Sequence, residues 1–238
     1  MLNDDMKSFI TYSLTEDLGS GDVTSESSVP QDLKEKGYIL AKESGVIAGV
    51  EVAREVFSQI DSNLTFKSSV KDGTRVKYGD VVVELQGSAR SILSGERLAL
   101  NFMQRMSGIA TRTAEIVSIL EGTNTKVLDT RKTTPGLRGF EKWAVCIGGG
   151  VNHRMGLYDM ILLKDNHVDY AGGMTEALKK VSEYQKNRDD ALPVLPLVIE
   201  TRSFQEIEDA IAASQKGEIL IERILLDNFG PDKVGEAV

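Results

Sequence analysis

The spacing of apolar positions predicts a mixed α and β arrangement over roughly the first hundred residues. A helical period covers residues 3–18 and ends at Gly19, and a second one covers Val50–Ile60. The stretch 18–30, rich in Gly, Ser and Thr, is interpreted as a surface loop. Strand-like runs and turns occupy the remainder. The runs are residues 37–48, which divide around Glu43–Gly45, then Leu64–Val70 and Val81–Gln86. Lys71–Thr74 is predicted to be a hairpin turn, and a second turn is expected at Tyr78–Asp80. We expect an α+β module without obvious catalytic chemistry here.

The pattern changes at about residue 92, where a long helical period begins. It covers Ile92–Leu120, and we expect a break near Ser107–Gly108. Short apolar runs then alternate with helical segments. The strand candidates are Lys126–Leu128, Met160–Leu163, Val194–Ile199 and Ile219–Leu226, and the helix candidates are Gly139–Cys146, Met174–Tyr184 and Phe204–Ala213. Because strands that alternate with helices form βαβ units, this half of the chain predicts a parallel sheet or barrel.

Polar residues directly follow the predicted strands. They are Asp129–Lys132, Lys164–His167, Glu200–Arg202 and Asp227–Asn228. In parallel α/β folds the carboxyl ends of the strands carry the functional site. The sequence therefore predicts that these strand ends line a site.

Charge is distributed unevenly along the chain. Residues 129–167 hold six Lys or Arg against four acids, a balance of +2, whereas the whole chain of 238 residues carries −8. An acidic protein that gathers cations beside a run of glycines is predicted to bind a small, strongly anionic ligand. The net negative charge argues against a nucleic-acid partner. A single Cys, no run long enough to span a membrane and no signal peptide favour a cytoplasmic protein.

Each candidate residue in this region also has a simpler interpretation. Arg131 and Lys132 could be a solvated pair at a strand end, although an Arg fork and a Lys point charge suit a carboxylate or phosphate. His153 could be an ordinary hydrogen-bonded histidine. The run Gly148–Gly150 is typical of a tight turn, and it could also bring backbone close to a ligand. With Arg154 nearby, we favour ligand binding for the group as a whole.

Glu200 and Asp227 are the acids best placed to hold a metal ion, because each follows a predicted strand. Mg²⁺ commonly takes one or two carboxylates together with phosphate oxygens of a substrate. A transition metal is disfavoured, since no Cys and His cluster has ligand spacing. Arg97, at the start of the long helix, is by itself typical of a helix surface.

Several long blocks resemble the quinolinate phosphoribosyltransferase family. They are EDLGSGDVTS (16–25), GERLALNFMQRMSGIAT (95–111), LDTRKTTPGLR (128–138), EKWAVCIGGGVNHRMGLYD (141–159), ILLKDNH (161–167) and ILLDNF (224–229). The resemblance extends over most of the chain, and its contiguous blocks make it more specific than any single motif.

This resemblance implies an α/β fold, with an N-terminal α/β sandwich over residues 1–99 and an open barrel of parallel strands over residues 100–238. It implies a homodimer with shared active sites, which could assemble further. The implied reaction joins quinolinate to 5-phosphoribosyl 1-diphosphate with Mg²⁺, giving nicotinate mononucleotide, pyrophosphate and CO₂ in de novo NAD synthesis. The family's chain continues past Val238 with further barrel strands and a phosphate loop, so we expect the C-terminal end of the barrel to be missing here.

The resemblance also assigns roles to individual residues. Those implied to bind substrate are Arg97, Thr130, Arg131, His153, Arg154 and Lys164. Those implied as catalytic are Lys132, Glu200 and Asp227. Among these, Lys132 would face the diphosphate donor, the two acids would hold Mg²⁺ and the ribose, and Arg97 would reach into the partner's site.

Two other functions stay open at this point. A paralogue associated with molybdenum uptake shares the fold and part of the motifs, although the complete sets Thr130–Lys132 and His153–Arg154 favour the quinolinate enzyme. The second is a non-catalytic anion-binding protein, an alternative that depends on the chain ending naturally at Val238.

Overall fold

The computed structural model describes residues 2–189, 191–217 and 219–238. Its contacts divide the chain into two compact units, Met1–His153 and Arg154–Val238. The helices are α1 (Asp4–Leu18), α2 (Val23–Ser28), α3 (Val50–Ile60), α4 (Ala89–Ile119), α5 (Arg138–Ile147), α6 (Asp165–Ala171), α7 (Met174–Lys186), α8 (Phe204–Gln215) and α9 (Pro231–Ala237). The strands are β1 (Lys34–Leu40), β2 (Gly45–Val46), β3 (Thr65–Ser68), β4 (Arg75–Val76), β5 (Val81–Ser88), β6 (Ile161–Leu163), β7 (Leu197–Thr201) and β8 (Arg223–Leu226). The domain boundary expected between residues 99 and 100 stays a prediction.

The first unit combines helices with two antiparallel sheets. β1, β5 and β3 form one sheet in that order, and β2 pairs with β4 in the other. α1 begins after Asn3, whose side chain accepts the Met6 N–H at 2.9 Å, and it ends at Gly19, where φ is 52°. The predicted first helix, the helix over Val50–Ile60 and the strands at Leu64–Val70 and Val81–Gln86 are therefore confirmed. The predicted hairpin turn at Lys71–Thr74 is wrong, because the strands on its two sides pair elsewhere: β3 pairs with β5, and β4 pairs with β2.

The stretch predicted as a surface loop contains a short helix, α2, so that prediction is wrong in part. Asp22 gives the physical reason. Its Oδ1 accepts the Ser25 N–H at 3.0 Å, as an N-cap does, and its Oδ2 accepts the hydroxyl of Ser94 on α4 at 3.0 Å. A helix of six residues is too short to produce a periodic apolar pattern.

α4 runs without interruption over 31 residues, so the predicted break near Ser107–Gly108 is wrong. The Ser107 hydroxyl accepts the Ala48 N–H at 2.9 Å, and the Thr111 hydroxyl accepts the Val46 N–H at 2.8 Å. These polar positions satisfy the backbone at and beyond β2 instead of ending the helix. A Cβ on Gly108 would meet nothing within 4 Å, so the glycine lies on the open side of the helix.

The core of the first unit fixes α5, the helix that supports the candidate site. The ring of Phe140 on α5 lies 4.9 Å from that of Phe102 on α4 and 5.8 Å from that of Phe9 on α1, between centroids. All three side chains belong to the cluster that surrounds the buried residues Phe57 and Met106. The position of α5 is therefore set by aromatic packing against two other helices.

The second unit contains a parallel sheet of β6, β7 and β8, in that order, which confirms the parallel pairing predicted from the sequence. The register places Leu163 opposite Ile199 and Thr201 opposite Leu226. Leu197, Val198 and Ile199 are each at most 1% exposed. A continuous buried run of this kind is typical of a strand covered on both faces. The predicted helices corresponding to α7 and α8 are also confirmed.

Three details of the second half differ from the sequence prediction. The run Lys126–Leu128 is not a strand, since it takes part only in an isolated parallel bridge between Leu128 and Val151. Glu200 lies inside β7 and not after it. α6, which was not predicted, begins immediately after Lys164. Within the described residues, no helix has both the length and the apolar character needed to cross a membrane.

Candidate functional site

Asp129 joins three segments of the first unit at the start of the predicted anion-binding loop. Its Oδ1 accepts hydrogen bonds from the Lys142 ammonium and from the His153 backbone N–H, the latter at 2.8 Å. With its amide oriented to match its neighbours, Asn152 donates to Asp129 Oδ2 at 2.6 Å and to the Lys142 carbonyl at 2.9 Å. The side chains of Lys142 and Asp129 are only 1% and 6% exposed. The loop therefore begins at a buried ion pair.

The other end of the loop is held by a second charged pair. The Glu141 Oε2 accepts the Thr134 N–H at 3.2 Å, and its Oε1 accepts Arg105 Nη2 at 2.7 Å. Arg105 also donates to the Thr134 hydroxyl at 2.9 Å. Burial raises the pKa of Glu141, but the hydrogen bonds from Arg105 and Thr134 outweigh that effect and lower the pKa below its ordinary value. Glu141 is therefore held as a carboxylate.

The middle of the loop carries the cations predicted to bind a ligand. The Thr130 hydroxyl accepts the Lys132 N–H at 3.0 Å, which turns the backbone at this point. Lys132 is exposed, whereas the Nε of Arg131 is buried and has no hydrogen-bond partner among the described residues. A desolvated guanidinium donor without a protein acceptor is costly unless something else accepts its proton. The arrangement favours an anionic ligand at Arg131.

The glycine run Gly148–Gly150 serves close packing of helices, so the structure gives no support to its reading as a ligand cradle. A Cβ on Gly148 would lie 2.4 Å from the Ala110 carbonyl oxygen of α4, and one on Gly150 would lie 2.7 Å from a methyl of Val145. Gly149 has φ 91°, which favours glycine. The tight-turn interpretation is confirmed, and the turn lies where the C-terminal end of α5 packs against α4.

Arg154 is a buried cation of the second unit. It is 8% exposed, and its Nη1 donates to the Met160 carbonyl at 3.4 Å. The carboxylate of Asp159 accepts the N–H groups of Met155 at 2.7 Å and Gly156 at 2.9 Å, which closes the loop that follows Arg154. Burial raises the pKa of Asp159, yet these backbone bonds and the charge of Arg154 lower it overall. The loop that carries the Arg154 guanidinium therefore has a defined shape.

Lys164 and Glu200 lie together at the ends of neighbouring strands of the second unit. Their side chains form an ion pair of 3.0 Å, with the carboxylate 18% exposed. Asp227 follows β8, and its backbone N–H donates to the Thr201 carbonyl at 2.9 Å. The sheet thus places Glu200 in β7 and Asp227 directly after the adjacent strand β8.

These two acids fit Mg²⁺ by donor chemistry. Carboxylate oxygens are hard ligands, and Mg²⁺ uses one or two of them while keeping water or substrate oxygens in its other positions. Over the described ranges, no group of three or more His, Cys, Asp or Glu side chains could hold a metal ion by itself. Glu200 and Asp227 could therefore supply two ligands to such an ion, and its remaining positions would be filled by water or by a bound ligand.

Two groups of charged residues make contacts that the sequence alone did not indicate. Lys142 and Glu141 on α5 hold the cationic loop, although nothing in the apolar pattern distinguishes them from solvated helix residues. Arg202 donates two hydrogen bonds to Asp169 on α6, at 2.9 and 3.1 Å, and further bonds to Glu206 on α8. These bonds to Asp169 and Glu206 raise the pKa of Arg202 above its ordinary value. A strand-end position was the only sequence signal for Arg202.

The predicted site residues therefore fall into groups by unit. Thr130, Arg131 and Lys132 share one loop of the first unit, and the His153 backbone is bonded to the first residue of that loop. Arg97 lies apart on α4, where it is exposed, and no ion pair of its side chain occurs among the described residues. The second unit holds the remaining four, Arg154, Lys164, Glu200 and Asp227.

Comparisons with known proteins identify the class. The family model described as quinolinate phosphoribosyl transferase, N-terminal domain, matches residues 22–107, and the model for the C-terminal domain of the same family matches residues 109–238. The chain belongs to the quinolinate phosphoribosyltransferase family, as its motifs predict.

Individual relatives agree. The chain is 42% identical over 226 residues to quinolinate phosphoribosyltransferase (decarboxylating) 1b of Nicotiana tabacum, with 94% of this chain and 63% of the relative covered. It is 44% identical over 226 residues to the chloroplastic nicotinate-nucleotide pyrophosphorylase (carboxylating) of Arabidopsis thaliana, covering 94% of this chain and 64% of that one. The chain thus spans somewhat less than two thirds of the length of these relatives.

Solved structures show the same fold. NadC from Streptococcus pyogenes superposes with a TM-score of 0.90 at 39% identity, covering 100% of this chain and 80% of that one. Nicotinate-nucleotide pyrophosphorylase from Francisella tularensis gives 0.89 at 35% identity, with 100% and 80% covered. The predicted α/β class, an N-terminal sheet domain followed by an α/β barrel, is confirmed by these neighbours.

Proposed function

We propose that this protein transfers the phosphoribosyl group of 5-phosphoribosyl 1-diphosphate to quinolinate with loss of CO₂, giving nicotinate mononucleotide and pyrophosphate for NAD synthesis. The observation that carries the proposal is the buried Nε of Arg131, which has no acceptor among the described residues and lies in a cationic loop. Membership of the family and the names of the relatives support the choice of substrates.

Quinolinate is a pyridine with two adjacent carboxylates, so it needs several cations with defined geometry. In this proposal Arg131, Arg154 and Lys164 bind the carboxylates, and Thr130 and His153 line the same ligand. The two arginines supply planar forks that orient a carboxylate as well as neutralise it.

The phosphoribosyl donor would be held by the remaining predicted residues. Lys132 is exposed and carries a mobile charge for the diphosphate. Glu200 and Asp227 would hold Mg²⁺, which when bound supplies charge neutralisation on the leaving diphosphate.

The chemistry then requires orientation more than proton transfer. The bond from the anomeric carbon to the diphosphate oxygen breaks, and pyrophosphate leaves with the electron pair. The ring nitrogen of quinolinate donates its lone pair to the same carbon. The positively charged ring then accepts the electrons of the bond to the adjacent carboxylate, CO₂ departs, and that ring carbon takes up a proton from water. The residues of the chain bind and align the two anions and shield the developing charges.

We further infer a homodimer in which Arg97 completes the site of the partner. Arg97 is exposed at the N-terminal half of α4, and its side chain forms no ion pair within the described part of the chain. A cytoplasmic location is also part of the proposal; plant relatives carry the words chloroplastic or mitochondrial in their names, so the compartment and any larger assembly stay predictions.

The central test is release of labelled CO₂ from carboxyl-labelled quinolinate, with the diphosphate donor and Mg²⁺ present. We expect release that requires both co-substrates. If the protein binds quinolinate but releases no CO₂ under any of these conditions, a non-catalytic anion-binding function is supported instead. If it does not bind quinolinate at all, the molybdenum-related paralogue becomes the better assignment.

Arg154→Ala tests the carboxylate contact. Loss of one charge-assisted bidentate contact is expected to weaken quinolinate binding by roughly 2–5 kcal/mol, part of it from leaving a carboxylate unpaired. The matched control is Arg112→Ala, which removes an exposed arginine whose ion pair among the described residues is with Glu115 on α4. Equal quinolinate affinity in both variants would contradict the assignment.

Glu200→Ala and Asp227→Ala test the metal site. Each variant should weaken Mg²⁺-dependent binding of the diphosphate donor and leave quinolinate binding largely intact, because the acids contact the donor and the metal. Glu208→Ala, an exposed position on α8, is the control. Normal donor and metal affinity in both acid variants would show that the ion is held elsewhere.

Subunit mixing tests the shared site. Arg97→Ala and Lys132→Ala homodimers should each be nearly inactive, but a heterodimer formed by exchange would contain one intact site. Restored CO₂ release in the mixture supports the dimer proposal. Activity that stays at the level of the parents, after exchange has been verified by mass, would place Arg97 outside the partner's site.

A further inference from the structure

The cationic loop Asp129–Thr134 is fixed at both ends by two consecutive residues of α5. Lys142 contacts Asp129 at the first residue, and Glu141 accepts the Thr134 N–H at the last, at 3.2 Å. Between these ends Arg131 keeps a buried Nε without an acceptor among the described residues. The side chains of Lys142 and Glu141 therefore have hydrogen-bond partners within the protein, whereas the Nε of Arg131 has none among the described residues.

We propose that Lys142 and Glu141 are positioning residues, which hold this loop in the shape that binds an anionic ligand before the ligand arrives. For the nature of that ligand, a pyridine dicarboxylate, the inference rests on the proposed function. Lys142 cannot contact a ligand from solvent, because its side chain is 1% exposed. It acts through Asp129.

Asp129 connects Lys142 to two segments, the cationic loop Asp129–Thr134 and residues 152–153. One carboxylate receives the Lys142 ammonium, the His153 N–H and, in its matched orientation, the Asn152 amide. The same residue begins the turn that contains Arg131. Because the three donors come from different segments, moving Asp129 would displace the loop and the residues 152–153 together.

Glu141 provides the same support at the other end by a different route. Its second oxygen accepts two hydrogen bonds from Arg105, at 3.0 and 2.7 Å, so its position is fixed by α4 as well as by α5. Arg138 adds a bond of 3.1 Å to the Thr133 hydroxyl. The positions of α4 and α5 therefore set the shape of the loop. A site that binds its ligand without rearrangement needs such a preset shape.

Buried ion pairs of this kind contribute little net stability when compared with a well-packed uncharged replacement. That property separates positioning from simple stabilisation. The test compares the single variant Lys142→Met, which leaves Asp129 charged and buried, with the double variant Asp129→Asn/Lys142→Met, which removes both charges and keeps similar shapes. The control is Lys36→Met/Glu84→Gln, a partly exposed pair of 3.5 Å between β1 and β5.

Two quantities are measured on each protein, the melting temperature and the Kd for quinolinate by titration calorimetry. The double variant should recover most of the melting temperature lost by the single variant, while its Kd stays roughly 10- to 100-fold above wild type, since a displacement of about 1 Å is enough for that loss. If Kd recovers together with the melting temperature, the pair is merely structural and the proposal is overturned.

A ligand-free measurement keeps the inference separate from the proposed function. Amide hydrogen exchange over Thr130–Thr134 should be faster in the double variant than in wild type, and unchanged in the control. If wild type fails to bind quinolinate, the proposed function falls, and exchange alone decides the positioning role. Unchanged protection of this segment would overturn that role.

Glu141→Gln provides a second variant in case the double variant does not fold. Its carboxylate side chain is 9% exposed but borders Arg105, which is 54% exposed, so the change lies close to solvent. We expect a severalfold increase in Kd, a fall in melting temperature near neutral pH that is smaller than that of Lys142→Met, and faster exchange at the Thr134 end of the loop. Identical affinity and exchange would overturn the role of Glu141.

Discussion

The two units both use ion pairs beside predicted site residues, but they place those pairs in different surroundings. In the first unit the pair of Lys142 and Asp129 is almost completely buried, with side chains 1% and 6% exposed. In the second unit Arg202 links Asp169 and Glu206 at the surface, with its own side chain 39% exposed. The first pair joins residues 13 positions apart in sequence, whereas Arg202 joins Asp169, which is 33 positions away, and Glu206, which is 4 positions away.

This difference predicts different consequences when one partner is removed. A buried charge that loses its partner keeps its full desolvation cost, because water cannot replace the lost contact. An exposed charge is simply hydrated, and salt screens whatever attraction remains. The first unit should therefore be sensitive to single substitutions near the loop, whereas the second should tolerate comparable changes.

The largest effect is expected for Lys142→Met. Removal of the ammonium leaves the Asp129 carboxylate buried and unpaired, so we expect the free energy of unfolding to fall by about 3–5 kcal/mol in urea denaturation. Lys36→Met, which breaks an exposed pair with Glu84, is the control and should lose at most ~1 kcal/mol. If Lys142→Met falls within the range of its control, burial of the pair has no energetic consequence.

Gly148→Ala is expected to have the next largest effect. The new Cβ would lie 2.4 Å from the Ala110 carbonyl oxygen, so α4 and α5 must separate, at a cost of about 1–3 kcal/mol of unfolding free energy. Gly108→Ala, in the middle of α4, is the matched control, since its Cβ would meet nothing within 4 Å. That control should gain about 0.5–1 kcal/mol from helix propensity. A loss in the control as large as that of Gly148→Ala would refute close packing as the cause.

Glu141→Gln should change the pH dependence of stability. The folded protein holds the pKa of Glu141 below the ordinary 4.5, so this carboxylate stabilises the fold above that pH, and the contribution is lost as pH falls through the folded pKa. The variant should therefore be less stable than wild type near neutral pH, and the difference should shrink in acid. Urea denaturation across the pH range measures this difference.

Asp72 offers a test of the opposite sign in the same unit. Burial raises the pKa of Asp72, although its Oδ1 accepts the Val50 N–H at 2.9 Å. The charged form therefore destabilises the fold above the folded pKa, and wild type regains stability as pH falls through it. Asp72→Asn should show a difference from wild type that moves in the direction opposite to that of Glu141→Gln. Parallel trends for the two variants would contradict the assigned causes.

The smallest effect is expected for Asp169→Asn. The hydrogen bonds from Arg202 lower the pKa of this exposed carboxyl, but Arg202 keeps its bonds to Glu206 when Asp169 is changed. We expect no change in stability beyond the error of the denaturation measurement, at either low or high salt. A loss comparable with that of Lys142→Met would show that the surface network of the second unit matters as much as the buried pair.

The sequence by itself determined the elements whose signals are local. The helix over Val50–Ile60 follows from apolar spacing, and the parallel sheet follows from strands that alternate with helices. The positions of Lys164 and Asp227 at strand ends follow from the same alternation. These features depend on neighbours within a few positions along the chain, so they can be predicted without knowledge of distant contacts.

Only the tertiary structure decided which polar residues are buried and what they contact. Ser107 resembles a helix breaker in the sequence, yet α4 continues because its hydroxyl bonds Ala48, 59 residues away. Lys142 resembles a solvated helix lysine, yet it lies beside Asp129 in the core. Burial of a charge depends on what the rest of the chain packs around it, and that is set by contacts between distant segments which no local pattern records.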